Sequence, residues 1–194
     1  MTFDPFYLPD GLPEPSDDGR ADHLPGKRVP ALELKAASGG HLRLDRLAEP
    51  TVIVCYPRIG SPDLPPPAGW DDIPGARGCS LQAHRYAKHH ETFSARGATI
   101  VGVSGQDHQE QIEATARLTL PYQLLSDPDL DLADTLGLPT FEAHGRKYQA
   151  RITLLVRGGC IDEVIYPIFP PGVDAEHAIA WLDRRRGETA GPSR

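Results

Sequence analysis

Three cysteines, Cys55, Cys79 and Cys160, carry the most reactive side chains in this sequence. No two of them have the Cys-x-x-Cys spacing of a redox pair or a zinc knuckle. Cys79 follows Gly75 and Gly78 at the point where a loop runs into a predicted helix. Unpaired backbone N–H groups and the positive end of the helix dipole favour a thiolate there, and the thiolate is the attacking species. These local features leave two interpretations open, a reactive nucleophile or a small buried hydrophobic residue.

Five neighbours of Cys79 are candidates to shape its site or to contact a ligand. Proline stiffens the approach to the helix, glycine frees the backbone, and arginine adds a positive charge. The histidine lies five residues after Cys79 and either tunes the thiolate or joins Cys79 in a metal site. No carboxylate or second histidine at i+4 spacing completes a metal site, so we expect no metal and no other cofactor. The candidates are Pro74, Arg77, Gly78, Ser80 and His84.

Composition and charge restrict the class of protein. The chain has 194 residues, enough for one domain with a sizeable core, and 39% of them are hydrophobic. A formal net charge of −7 argues against nucleic acid or an anionic membrane surface as a partner. No apolar run is long enough to cross a bilayer, and the N-terminus lacks the pattern of a signal peptide. Together with the odd number of cysteines, these features predict a cytoplasmic protein with reduced thiols.

The order of predicted elements divides the chain into three parts. Residues 1–27 are rich in proline, aspartate and glycine and predict an extended N-terminal arm. Residues 28–186 form the folded domain, and residues 187–194 are expected to be a disordered C-terminal tail. Within the domain, strand and helix patterns alternate, and the strands at 51–56 and 98–104 are apolar enough to be buried on both faces. This order predicts an α/β domain in which helices flank a central mixed β-sheet.

The loop and the helix around Cys79 are the most informative of these elements. Residues 58–78 form a long loop rich in proline and glycine, and a loop of this length in a compact domain is usually functional. A helix is predicted from Cys79 to about Arg96, because apolar residues recur on one face and Gly97 follows. We expect this face to be buried, and it carries Cys79, Ala83, Tyr86, His90 and Phe93.

Five short motifs follow one another along the chain, namely CYP at 55–57, PGARGCS at 74–80, VGVS at 101–104, LLSDPD at 124–129 and RITLLV at 151–156. Their order and spacing resemble those of the peroxiredoxins of the AhpC/TSA family. Within that family, the chain is most similar to the bacterioferritin-comigratory, or PrxQ-like, branch. The resemblance covers roughly residues 25–186 and implies a thioredoxin-like fold, the same α/β layout that the element order predicts.

The resemblance implies a thiol-dependent peroxidase. Cys79 matches the peroxidatic cysteine, which attacks the O–O bond of hydrogen peroxide or an organic hydroperoxide and becomes a sulfenic acid. Arg151 matches an arginine that opens a late strand and points its guanidinium at the thiolate and the peroxide. The alternative for Arg151 is an ordinary ion pair on the surface of a strand. An external thiol reductant, thioredoxin, glutaredoxin or glutathione, is expected to restore the cysteine, and His84 is a candidate to contact it.

Two departures from the family motif concern the activation of the peroxide. The family usually carries Pro-x-x-x-(Thr/Ser)-x-x-Cys, but this chain has Asp72 at the proline position and Ala76 at the hydroxyl position. Ser61 and Ser80 carry nearby hydroxyl groups, although at other spacings. These departures support an alternative function, a peroxiredoxin-like redox sensor or partner-binding module with weak turnover. A third interpretation is a metal-binding thioredoxin-fold protein that uses Cys79 and the histidine five residues later.

A third departure concerns the fate of the oxidised cysteine. PrxQ-like proteins often carry a resolving cysteine five residues after the peroxidatic one, and His84 occupies that position here. Cys55 is predicted in a buried strand and Cys160 near a hairpin turn. Either would have to move substantially, because a disulfide requires Cα atoms within about 7 Å of each other. We therefore expect a one-cysteine cycle, in a monomer or a homodimer.

Overall fold

The structure is a computed structural model that describes residue 4 and residues 6–48, 50–63 and 65–189. This part of the chain contains nine β-strands and five α-helices, joined by turns and two short 3-10 helices. The strands are β1 (Glu33–Ala36), β2 (His41–Arg43), β3 (Thr51–Cys55), β4 (Thr99–Ser104), β5 (Gln123–Ser126), β6 (Thr140–Ala143), β7 (Arg146–Gln149), β8 (Ile152–Arg157) and β9 (Cys160–Ile165). The helices are α1 (Cys79–Lys88), α2 (His90–Ser94), α3 (His108–Leu118), α4 (Asp131–Leu136) and α5 (Val173–Thr189).

A seven-stranded sheet forms the centre of the fold, with the strand order β2-β1-β5-β4-β3-β8-β9. The strands β3, β4 and β5 run parallel, because helical segments connect them and return the chain in the same direction. The strand β8 pairs antiparallel with β3, and β9 pairs antiparallel with β8. The sheet is therefore mixed, as the sequence predicts.

The period-two alternation of β3 divides the hydrophobic core into two layers. Val52 and Val54 pack on the face that α1, α2, α3 and α5 cover. Ile53 and Cys55 point to the opposite face, where α4 and the segment before β1 pack. Helices thus cover both faces of the sheet, and α1 lies on the face opposite to Cys55.

The helix that begins at Cys79 differs from the prediction. The structure has two helices, α1 and α2, separated at His89, in place of one helix that continues to about Arg96. The prediction that His90 lies on the buried face is wrong, because the interruption changes the helical register and leaves this residue only half-buried. The other residues of the predicted face are buried, namely Cys79, Ala83, Tyr86 and Phe93.

A two-stranded hairpin that the sequence analysis does not predict packs against the loop before α1. The strands β6 and β7 pair antiparallel, and His144 and Gly145 in the turn both have positive φ. The rings of Phe141 and Tyr148 stack across the hairpin with their centroids 5.7 Å apart. The Tyr148 ring also packs edge-on against the buried Trp70 of the long loop, at 4.9 Å. The hairpin therefore anchors the loop that leads to α1.

The N-terminal segment packs along the domain. Leu24 is fully buried in the core layer that contains α4. The hydroxyl of Tyr166 donates to Asp18 at 3.1 Å, which joins the segment to the chain after β9. The described part of the predicted arm thus contacts both the core and the sheet edge.

The end of the chain is more helical than expected. The helix α5 extends to Thr189, so residues 187–189 of the predicted tail continue it. The remaining tail residues, 190–194, lie outside the described residues. None of the helices in the described ranges combines the length and the apolar character that crossing a bilayer requires.

Candidate active site

Cys79 is the first residue of α1, and Gly78 shapes the backbone before it. Gly78 has a φ of +100°, which a residue with a Cβ atom adopts only with strain, and a Cβ atom there would overlap the ring of Pro171. Glycine at the N-cap has no side chain, so it cannot cap the first amide groups of α1. Cys79 therefore lies at the positive end of an uncapped helix, where negative charge on sulfur is stabilised. Its side chain is 3% exposed.

Arg151 brings a positive charge to the sulfur of Cys79. It directly precedes β8 and has the same parity as Thr153 and Leu155, whose side chains lie on the α1 face of the sheet. Its Nη2 atom lies 3.3 Å from Cys79 Sγ. The same atom donates to two carbonyl oxygens of the loop before α1, at 2.8 and 3.3 Å. Because Arg151 is only 3% exposed, the charge acts on the sulfur with little screening by water.

Gln82 and Asp174 hold the other side of Arg151. Arg151 Nη1 donates to Gln82 Oε1 at 2.5 Å, and Gln82 Nε2 donates to Asp174 Oδ2 at 2.6 Å. The fully buried Asp174 also accepts hydrogen bonds from the hydroxyls of Tyr86 at 2.9 Å and Thr153 at 2.8 Å. Burial, and after it the nearby charge of Asp174, raise the pKa of Tyr86, so the phenol remains a donor. One amide thus links the buried carboxylate to the buried guanidinium and fixes the orientation of both.

Two openings adjoin this cluster. The smaller has room for a water-sized sphere, about 20 Å³, and its wall includes Cys79, Ser80 and Ala76. The larger cleft, about 270 Å³, lies between the N-terminal segment and a wall that includes Pro74 and Arg151. Among the described residues, Cys79 lines the smaller opening and not the larger cleft. Of these two openings, the smaller cavity is therefore the one that reaches Cys79.

Arg77 lies directly before Gly78 and serves the site through its backbone and its side chain. Its carbonyl oxygen accepts a hydrogen bond from Arg151 at 2.8 Å. Its guanidinium donates to the carbonyl oxygen of Tyr7 at 3.0 Å and contacts Asp71 at 3.2 Å. Arg77 therefore ties the N-terminal segment to the loop before Cys79, a role that the sequence does not indicate. Its side chain also lines the smaller cavity.

His84 lies on α1 but faces the N-terminal segment. Its side chain is exposed, and its ring packs edge-on against Phe6 with the centroids 5.7 Å apart. Cys79, in contrast, is buried against the guanidinium of Arg151. Within the ranges that the structure describes, no three His, Cys, Asp or Glu side chains form a group that could hold a metal ion. The geometry gives no support to a metal site formed by Cys79 and His84.

The other two cysteines are free thiols, as is Cys79, and neither lies beside it. Cys55 is fully buried on the opposite face of the sheet, and burial raises the pKa of its thiol. Cys160 pairs with Arg157 at the last position of β8, whereas Arg151 precedes the first position of that strand. At about 3.3 Å per residue, the two ends of this segment are roughly 20 Å apart.

Gln82 and Asp174 are the two site residues that the sequence analysis misses. Gln82 lies three residues after Cys79, so a polar residue on an otherwise apolar helix face is a signal that could have identified it. Asp174 has the sequence character of an ordinary acidic residue in the first turn of a helix. Its burial follows only from the packing of α5 against α1 and β8.

A buried arginine that contacts a thiol at a helix N-terminus, on a mixed sheet covered on both faces, places this chain in the thioredoxin-fold class. Solved structures share the fold. Peroxidoxin BcpB from Mycobacterium tuberculosis has a TM-score of 0.69 at 23% identity and covers 83% of this chain and 97% of its own. The bacterioferritin comigratory protein of Xanthomonas campestris, described for its alkyl peroxide reduction activity, has a TM-score of 0.65 at 20% identity over 81% and 96%. These likenesses confirm the predicted fold.

The sequence model of the AhpC/TSA family matches residues 73–161 of this chain. Peroxiredoxin Q, chloroplastic, from Suaeda salsa is 27% identical over 158 residues, which cover 81% of this chain and 66% of that protein. Peroxiredoxin Bcp from Bacillus subtilis (strain 168) is 27% identical over 135 residues, covering 68% and 76%. The resemblance to the peroxiredoxin Q and bacterioferritin-comigratory branch is thereby confirmed. The chain spans just under two thirds of the Suaeda salsa protein and 47% of its Populus jackii counterpart.

Proposed function

We propose that this chain is a thiol-dependent peroxidase that reduces hydrogen peroxide or small organic hydroperoxides through Cys79. The observation that carries the proposal is the 3.3 Å contact between Cys79 Sγ and Nη2 of the buried Arg151 at the start of α1. The helix end and the guanidinium both stabilise negative charge on the sulfur. The match of residues 73–161 to the AhpC/TSA family model supports the same chemistry.

In the first half-reaction, the thiolate of Cys79 attacks the terminal oxygen of the hydroperoxide. The S–O bond forms as the O–O bond breaks, so the sulfur is oxidised to a sulfenic acid and the peroxide is reduced. The leaving oxygen keeps the electron pair, takes a proton from water and departs as water or an alcohol. Arg151 stabilises the negative charge of the attacking sulfur without reorganisation, because Gln82 and the loop carbonyls already hold its guanidinium in place.

The second half-reaction uses an external thiol. The sulfenic acid condenses with this thiol, water leaves, and a second thiol cleaves the resulting mixed disulfide to restore Cys79. The burial of Cys55 across the sheet and the distance of Cys160 along β8 support this one-cysteine cycle. Thioredoxin, glutaredoxin and glutathione are the candidate reductants. Because such a cycle needs a reducing environment, we also propose a cytoplasmic location, in a monomer or a homodimer without nucleic-acid or membrane partners.

The test of the proposal follows the Cys79 thiol after rapid mixing with hydrogen peroxide. We expect fast stoichiometric loss of this thiol, and mass spectrometry after one equivalent of peroxide should find a single added oxygen on the Cys79 peptide. Cys79→Ser should abolish peroxide consumption, whereas the matched variant Cys160→Ser should retain it. A wild-type rate equal to that of a free thiol in water would refute the proposal, and a Cys79–Cys160 disulfide would refute the one-cysteine cycle.

A second function, a redox sensor with weak turnover, is favoured by one observation. Ala76 occupies the position of the family's usual hydroxyl residue, and its buried methyl group faces the cavity beside Cys79 without a donor. A sensor would form the sulfenic acid but would turn over slowly with every common thiol reductant. Steady-state assays with thioredoxin, glutaredoxin and glutathione therefore separate the two functions, since sustained turnover with any of them excludes the sensor.

A further inference from the structure

Ser80 carries a hydroxyl group that is buried directly beside Cys79 in the chain. Its side chain is 1% exposed, and its Oγ atom has no hydrogen-bond partner among the described residues. A hydroxyl removed from water without a partner destabilises the folded state, so native proteins retain few of them. The buried Ser126 shows the usual arrangement, because its hydroxyl donates to the carbonyl oxygen of Gln106 at 2.7 Å. A molecule bound beside Ser80 could therefore supply the hydrogen-bond partner that its hydroxyl lacks.

Ser80 lines the same small cavity as Cys79. Ser80 follows Cys79 in the first turn of α1, and the buried Trp70 forms another part of the wall. The cavity, about 20 Å³, is large enough for one water-sized group, such as the terminal oxygen of a hydroperoxide. Cys79 and the residue that carries the unpaired hydroxyl therefore border the same small volume.

We propose that the Ser80 hydroxyl donates a hydrogen bond to the hydroperoxide in this cavity and is a catalytic residue of the peroxidase. The inference rests on the proposed function of Cys79. As the S–O bond forms and the O–O bond breaks, the electron pair moves to the leaving oxygen, which then takes its proton from water. A donor that faces this oxygen strengthens its hydrogen bond as the charge develops. Ala76 offers no donor, so Ser80, which directly follows Cys79 in α1, supplies the hydroxyl group instead.

The test measures the oxidation of Cys79 by hydrogen peroxide in full-length Ser80→Ala. We expect the second-order rate constant to fall by about tenfold to a hundredfold, the range for a lost donor to a developing oxyanion. The rate of Cys79 alkylation by iodoacetamide should stay unchanged, because alkylation involves no peroxide oxygen. The Tm should stay equal or rise, since the substitution removes an unpaired buried hydroxyl.

Ser126→Ala is the matched control, because it removes a buried hydroxyl that has a protein partner. It should lower the Tm and leave the rate of Cys79 oxidation unchanged. If wild-type Cys79 reacts rapidly and Ser80→Ala reacts equally fast, the role of Ser80 is overturned while the peroxidase proposal stands. A lower Tm in Ser80→Ala would also overturn it, because the hydroxyl would then have a structural partner. Slow wild-type oxidation overturns both proposals.

Discussion

Replacing Arg151 by lysine separates the charge of this residue from its geometry. The guanidinium contacts Gln82 Oε1 on one side, and the sulfur of Cys79 with the carbonyls of Gly75 and Arg77 on the other. Lysine keeps the charge, but its compact ammonium cannot span both sides. At least two buried acceptors then lose their donor, and each such loss costs about 1–3 kcal/mol. We expect Arg151→Lys to lower the free energy of unfolding by at least about 2 kcal/mol.

Arg151→Met removes the charge as well and should have a larger effect. Gln82 Oε1 and the carbonyl oxygens of Gly75 and Arg77 then all lose their donor, so we expect a loss of at least about 3 kcal/mol in the free energy of unfolding. The oxidation of Cys79 by peroxide should slow by about a hundredfold to a thousandfold in Arg151→Met, against about tenfold in Arg151→Lys. Urea unfolding followed by the fluorescence of the buried Trp70 and Trp181 measures the stability, and stopped-flow mixing measures the rate.

Arg157→Lys, at the exposed end of β8, is the control for the same chemical change away from the site. It should leave both the stability and the rate close to those of the wild type. If Arg151→Lys behaves like this control, the several N–H donors of the Arg151 guanidinium contribute neither to the stability of the protein nor to the rate of Cys79 oxidation.

Gly78→Ala should lower the free energy of unfolding by about 2 kcal/mol or more, since it adds steric overlap with Pro171 to the strain of a positive φ. Gly26 also has a positive φ but lies in open space, so Gly26→Ala should lower the free energy of unfolding less in the same urea titration. Burial raises the pKa of Asp127 above 3.8, although the amides of α4 oppose this shift. The folded state therefore holds that proton more tightly than the unfolded chain, and the free energy of unfolding should fall as the pH rises through the raised value. Asp127→Asn should remove this fall in stability, and an unchanged pH dependence in that variant would contradict the raised pKa of Asp127. Iodoacetamide should label the half-buried Cys160 in the native protein and Cys55 only after unfolding, since burial raises the pKa of Cys55; native labelling of Cys55 would contradict its burial.

Sequence reasoning identifies the elements whose buried residues form a clear pattern of apolar positions along the chain. The strand β3 is an uninterrupted β-branched run, and all five of its residues are buried. The hairpin of β6 and β7 escapes the same reasoning, because its strands are polar and half-exposed. Its stability comes from the contact of Phe141 and Tyr148 with each other and with Trp70, which lies far away in the sequence. The interruption at His89 likewise has no composition signal, because no proline or glycine marks it.

The candidate site shows the same division between local and distant information. Cys79 is identifiable because its surroundings, glycines followed by a helix, determine its chemistry within a few residues. Arg151 becomes a candidate only through its match to a family motif, since nothing local distinguishes it from a surface arginine. Asp174 lies 92 residues after Gln82, and only the packing of α5 brings the two together. Its importance depends on burial and partners, which periodicity does not encode.

The β-sheet separates Cys55 from Cys79, and this separation determines which molecules can react with an oxidised Cys79. With the other two thiols across the sheet and at the far end of β8, a sulfenic acid at Cys79 would persist in the proposed cycle until a reductant from solution arrives. During that interval a second peroxide molecule can convert it to a sulfinic acid, which ordinary thiols do not reverse. The lifetime of active protein under oxidative stress would therefore depend on the ratio of reductant to peroxide, and abundant substrate would inactivate the catalyst that removes it.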